Sequence, residues 1–192
     1  MPSSVYIGID LALMKKKPST VSILKGKTIY VKDIQSIRGI VELINNLQPK
    51  CIAIDSPLQL PRKGAYRDCD IQMKKMGLKP LPVTWRYMKE LTMTAIELKR
   101  NLEGFDVIET FPTGALELAG LTRYGKSKHD LFLVFVHMLA KESLKLGTEV
   151  IFNKDILDSL ICTMAAKHYG DKNADKYVEI RGKECKIIIP II

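Results

Sequence analysis

The feature that most limits the fold is one construction used twice, a short apolar run that ends on an aspartate. The runs are Val5-Tyr6-Ile7-Gly8-Ile9-Asp10 and Cys51-Ile52-Ala53-Ile54-Asp55. Both are rich in β-branched residues and read as buried central strands. Strand alternation puts Val5, Ile7 and Ile9 on one face and Tyr6, Gly8 and Asp10 on the other. In the second run, Ile52 and Ile54 share a face, and Cys51, Ala53 and Asp55 share the opposite one. A carboxylate on a buried sheet face needs a cation, a donor or a wet cleft, because unpaired buried charge is costly. Small residues precede both aspartates on their own face, which leaves room in front of them. The chain therefore reads as one organised to bring Asp10 and Asp55 together.

The elements between these runs predict how they are connected. Residues 19–25 and 27–34 are two β-rich runs about Gly26 and read as a hairpin. With the first strand they make a three-stranded meander. Ser36 is a candidate N-cap for a helix through Leu47, with Ile37, Ile40, Val41, Ile44 and Leu47 as its apolar stripe. Pro49 ends it before the strand at 51–55. A helix between two strands argues for a crossover and parallel placement. Residues 56–83 lack periodicity, carry Pro57, Pro61, Pro80 and Pro82, and hold a short helix near 66–76. A helix from Thr84 to about Leu102 follows, then a strand-like run over 105–110 that Pro112 stops. Leu131–Leu146 has the pattern of an amphipathic helix, and Asn153 or Asp155 opens another through about Tyr169. The tail reads as two short strands, Tyr177–Ile180 and Lys186–Ile192, serving as either a dimerisation edge or a lid. The fold class expected is α/β, a mixed five-stranded sheet flanked by helices on both faces. The expected organisation is one domain over 1–192, a basic and helical insert at 56–104 and a C-terminal extension at 171–192.

Charge is unevenly placed. Of the formal net charge of +9, segment 62–89 supplies the largest share, with eight basic residues against two acidic. Residues 90–192 carry fourteen basic and fifteen acidic residues and are close to neutral. A local basic patch is the footprint of a polyanion partner. No run approaches the roughly 18–20 apolar residues of a membrane span, so no membrane partner is expected. The N-terminus lacks the pattern of a secretory leader. Cys51, Cys69, Cys162 and Cys185 form no CxxC pair. Reduced cysteines, a cytoplasmic location and no zinc site are the expectation.

Acids fall at Asp10, Asp55 and Glu109 on strand ends and at Asp158 on a late helix. Clustered carboxylates repel one another and persist with metals or with shifted proton affinities. Hard oxygen ligands suit Mg²⁺ or Mn²⁺, and two such ions about 3.5–4 Å apart support phosphodiester cleavage.

Six blocks resemble a known family in the same order. They are IGIDLA at 7–12, IAIDSPLQLP at 52–61, YRDCD at 66–70, PVTWRYM at 82–88, VIETFPTGALE at 107–117 and DILDSLICTMAAKHY at 155–169. Together they look like the family called domain of unknown function 429, described as predicted nucleases. The resemblance implies a ribonuclease H-like fold with the insert between strands four and five, and a metal-dependent nuclease. It implies that Asp10 is the first-strand acid, Asp55 the fourth-strand acid and Asp158 the late-helix acid. Asp155 resembles the second acid of RuvC-like resolvases. Glu109 has no secure counterpart and is read as a fourth ligand or an assisting base. Glu42 lies off the apolar stripe of its helix and is left out.

The expected catalytic set is Asp10, Asp55, Glu109 and Asp158, with Asp10, Asp55, Asp158 and Asp155 as ligands to Mg²⁺ or Mn²⁺. Arg62, Lys63, Tyr66, Arg67, Trp85 and Arg86 are the expected nucleic-acid contacts, through phosphate recognition and base stacking. A nucleic acid, DNA or RNA, is the expected partner, and a homodimer is left open. Two other readings stand beside the nuclease. One is a non-catalytic nucleic-acid-binding protein, and the other is a hydrolase or transferase of a small phosphorylated substrate. An ATPase reading is disfavoured because Leu11-Ala12-Leu13-Met14-Lys15 holds no glycine for a phosphate loop.

Overall fold

The computed structural model describes residues 4–13, 15–121 and 127–192. The two aspartate-ending runs form strands β1 (Val5–Asp10) and β4 (Cys51–Ile54), which lie side by side and parallel. In register, Ile7 faces Ile52 and Ile9 faces Ile54. Strands β2 (Ser19–Lys25) and β3 (Thr28–Ile34) form the expected antiparallel hairpin. Gly26 takes a φ of 63° at its turn, a conformation that favours glycine. Helix α1 (Ile37–Leu47) starts where the Ser36 side chain accepts a hydrogen bond from the Gly39 N–H. It carries the chain over to β4 as a crossover.

Beyond β4 come helices α2 (Asp68–Lys75) and α3 (Arg86–Asn101), then strand β5 (Val107–Thr110), parallel to β4. Helix α4 (Pro112–Leu118) was not anticipated. Pro112 both stops β5 and opens this helix, because proline is tolerated in a first helical turn. Helix α5 (Lys128–Lys141) starts earlier than the apolar pattern suggests, since the Ser127 side chain accepts from the Asp130 N–H. It also ends earlier, and Lys145–Leu146 leaves as a two-residue strand, β6. Helix α6 (Lys154–Gly170) is followed by β7 (Tyr177–Arg181) and β8 (Lys186–Pro190).

The α/β fold with a mixed sheet and helices on both faces is as expected, but the sheet has eight strands and not five. Their order is β6-β3-β2-β1-β4-β5-β8-β7. The expected five lie together, and the tail extends them. β8 pairs parallel with β5, and β7 folds back antiparallel on β8. Ile187, Ile188 and Ile189 are fully buried. A run apolar on both faces fits an interior strand, and here it covers the open edge of β5. One apolar cluster joins Ile7, Ile9, Ile52 and Ile54 to α1 and α3. The other joins Tyr6, Cys51 and Ala53 to α4, α5 and α6, so alternation was read correctly on both strands.

The cysteine expectation is corrected. Cys69 of α2 is disulfide-bonded to Cys185 in the β7–β8 turn, with Cα atoms 6.0 Å apart. Only Cys51 and Cys162 are free, and both are buried. Among the described residues, no helix is long and apolar enough to cross a membrane.

Candidate metal centre

Backbone geometry brings the acids together. Asp10 is the last residue of β1, one position beyond the Ile9–Ile54 pair, and Asp55 is one position beyond β4. The Asp55 N–H donates to the Ile9 carbonyl at 2.9 Å, which locks the two strand ends side by side. Helix α6 then lies against β1 where Gly8 presents no side chain. A Cβ on Gly8 would overlap the Ser159 carbonyl and the Thr163 N–H. The Ser22 hydroxyl donates to that same Ser159 carbonyl at 2.8 Å. Asp158, the residue before Ser159, is thereby set against the strand ends. Asp10, Asp55 and Asp158 each offer an oxygen, and these oxygens lie within 4.8 Å of one another.

The electrostatics of this trio are unfavourable without a cation. Burial, then the charges of Asp158 and Asp155, push Asp10 up to about 7, against the pull of Lys17 and Lys154. Burial and the charges of Asp158 and Asp10 hold Asp55 well above the usual carboxylate range. Burial also raises Asp158, although Lys154 opposes it. The Lys154 ammonium pairs with Asp158 Oδ2 from one helical turn before it. Asp158 Oδ1, by contrast, is buried with no hydrogen-bond partner among the described residues. Three hard oxygen donors, one of them an orphan, suit a small divalent cation.

The remaining expected site residues are placed differently. Glu109 does not join the trio. It lies in register with Ile54, so its side chain takes the Ile54 face of the sheet and not the face of Asp55. There it accepts two hydrogen bonds from Arg67, at 2.7 and 2.6 Å, and one from the Leu58 N–H at 2.9 Å. Arg67 is 1% exposed and also forks onto Asp70 at 2.7 and 3.0 Å. Its guanidinium is thus held by the protein's own carboxylates, Asp70 and Glu109, while Arg67 still lines the cleft above the acids. Asp155 pairs with Lys17 at 2.7 Å and stands outside the trio.

Of the other basic-segment residues, Arg62 pairs with Glu184 at 3.1 Å, and Lys63 is exposed. The Lys74 ammonium sits 3.7 Å from the Tyr66 ring centroid. Arg86 is exposed and pairs with Glu90 at 3.2 Å. Trp85 caps the start of α3, exposed, and is not among the residues that line the cleft above the acids.

That cleft holds about 350 Å³. Its charged lining is Asp10, Asp55, Asp155 and Asp158 with Lys17 and Lys154, and the Arg67, Asp70 and Glu109 cluster also reaches it. The insert forms the other side through Met73, Pro80, Leu81, Tyr87 and Met88. The lysines and this apolar wall were missed in the sequence. The signals for them were the Lys15–Lys17 run and the spacing of Lys154 four residues before Asp158.

Residues 8–179 match the family described as "Protein of unknown function (DUF429)". The chain belongs to the DUF429 family. A search of curated proteins finds no match for this DUF429 member. Among solved structures, it is similar to the "Thermus thermophilus RuvC structure", at 12% identity and a TM-score of 0.49, covering 89% of this chain and 96% of that one.

Proposed function

We propose that this DUF429 member is a metal-dependent nuclease on a ribonuclease H-like core, hydrolysing phosphodiester bonds of nucleic acid. The observation that carries the proposal is the convergence of Asp10, Asp55 and Asp158 within 4.8 Å, with Asp158 Oδ1 buried and unpartnered. Mg²⁺ or Mn²⁺ held there supplies Lewis acidity and an activated water. The chain's own residues do the rest. Asp10, Asp55 and Asp158 hold the cation from two strands and one helix, so their spacing is fixed by the core. Lys17 and Lys154 face the same space and offset the charge of a phosphodiester brought against the acids. Glu109 positions the chain after Asp55, because it accepts from the Leu58 N–H while Arg67 holds it. The net positive charge of 62–89 favours approach of a polyanion to the insert side.

The test is calorimetric titration of Mn²⁺ into wild type and Asp10→Asn, followed by incubation of both with labelled DNA and RNA. Mn²⁺ binding and cleavage that both disappear in Asp10→Asn support the nuclease. Mn²⁺ binding without cleavage of any polymer redirects the reading to a small phosphorylated substrate. Nucleic-acid binding without any Mn²⁺ binding leaves the non-catalytic reading in its place.

A further inference from the structure

We propose that the cleft takes an unpaired strand, with one base laid on a wall made by Tyr87, Leu81 and Met88 while its phosphodiester lies at the three aspartates. The proposal rests on the nuclease reading and names the substrate class for the same site.

The two sides of the cleft are chemically unlike. One is a cluster of carboxylates with two ammonium groups. The insert contributes an apolar and aromatic patch, Met73, Pro80, Leu81, Tyr87 and Met88, beside the mutually paired Arg67 and Asp70. Within that wall, Tyr87 and Leu81 remain 47% and 50% exposed. Large apolar side chains left open inside a concave site are surface for an apolar ligand face. The ring is also close to the acids. Lys16 Nζ stands 5.7 Å from the Tyr87 ring centroid. The next residue along, Lys17, holds its Nζ 3.9 Å from Asp10 Oδ2. Two consecutive lysines, Lys16 and Lys17, therefore link ring and carboxylate across the interval between them. That interval suits a phosphate and the base attached to the same nucleotide.

A duplex cannot use this arrangement. Its bases are stacked on their neighbours and paired at their edges, so no π-face is free for Tyr87. Reaching the wall would require flipping a nucleotide out, at the cost of unstacking and unpairing. A single strand has its base faces available. Stacking on an aromatic ring beside lysines holds such strands with little sequence preference. The wall also provides adhesion that the acidic side cannot, since the carboxylates repel phosphate until a cation is bound. Trp85, two positions before Tyr87, does not line this cleft and is not part of the platform.

The test measures binding by fluorescence anisotropy in Ca²⁺, a cation chosen to limit turnover. The probes are a labelled all-thymidine strand, an all-uridine strand, a blunt duplex of equal length and thymidine monophosphate as competitor. Single strands should bind at least about tenfold tighter than the duplex, and Tyr87→Ala should remove about tenfold or more of that affinity. Tyr87→Phe should retain it, because the ring and not the hydroxyl carries the stack. Mn²⁺ affinity should be unchanged in Tyr87→Ala, which shows that the variant is folded and its acids intact. Equal or tighter binding of the duplex, or unchanged strand affinity in Tyr87→Ala, overturns the proposal. Competition by the mononucleotide at the strand's own concentration overturns it in favour of a small ligand. Failure of the nuclease reading registers separately, as absent Mn²⁺ binding or absent cleavage in a wild type that still prefers single strands.

Discussion

Two groups of carboxylates meet at the same end of the sheet, and the chain answers them differently. Asp70 and Glu109 enclose Arg67, whose guanidinium is 1% exposed and bonded to both. Asp10, Asp55 and Asp158 offer oxygens within 4.8 Å of one another, and among the described residues the cations that pair with them are two half-exposed lysines, Lys17 and Lys154. Burial raises the proton affinity of Glu109, and Arg67 works against it. Burial raises that of Asp10 and Asp55 too, and there the neighbouring carboxylates add to the effect. The first group is complete within the fold. The second leaves Asp158 Oδ1 buried and without a partner among the described residues. The difference separates a structural ion cluster from a candidate site more sharply than acidity does, since both groups share that.

The comparison breaks most violently at Arg67. Arg67→Met strands two carboxylates in the interior and should cost about 3–5 kcal/mol of stability, read by chemical denaturation. A loss under about 1 kcal/mol would show that the cluster is wetter than its geometry.

Asp10→Asn should act in the opposite direction. In the metal-free protein the Asp10 carboxyl is raised from its ordinary 3.8 to about 7. The folded state then holds a proton that the unfolded chain has released, so stability falls as pH rises through that window and levels off above it. Removing the charge should stabilise the metal-free protein by roughly 2–4 kcal/mol at pH 8. The gain should shrink towards zero as pH falls to about 4. Equal melting temperatures of the two proteins at pH 8 would remove the premise.

Mn²⁺ sharpens the same contrast. At a free concentration a hundred times its Kd, it should stabilise wild type by about 2.7 kcal/mol and leave Asp158→Asn unmoved. The smallest effect is expected at Lys154. Lys154→Met removes a positive charge beside Asp158 and should tighten Mn²⁺ binding by a few-fold, because an ammonium and a divalent ion repel. Weaker binding would mean that the lysine organises the site and does not merely offset its charge.

Legibility in the sequence followed the range of the interaction. Asp10 and Asp55 were visible because alternation within a single strand assigns the face, and both strands are apolar enough to make that alternation plain. Asp158 was visible through a motif on a helix whose cap at Asn153 is local. Glu109 was expected beside the aspartates as a fourth ligand or an assisting base, and the structure pairs it with Arg67 on the other face of the sheet. Its face depends on how β5 registers against β4, and pairing with Ile54 turns it away from Asp55. Arg67 carried the charge of a phosphate contact, but its partner Glu109 lies 42 residues away. The disulfide spans 116 residues, so no spacing pattern could announce it. The tail strands were readable as strands, while their place beside β5 was not, because an apolar run does not name its neighbour.

Gly8 has a consequence for how this molecule can change. The interval between Asp158 and Asp10 is measured out where the bare backbone of Gly8 rests on the backbone of Ser159 and Thr163, with only the Thr163 hydroxyl beside it. Gly8 is thus a ruler for a site in which it takes no chemical part. Even alanine there lengthens the ruler by a methyl group that the Ser159 carbonyl and the Thr163 amide leave no room for. All three carboxylates would survive such a replacement, and the place where they meet would not. A mutational survey scored only on cation binding would rank this featureless position beside the ligands.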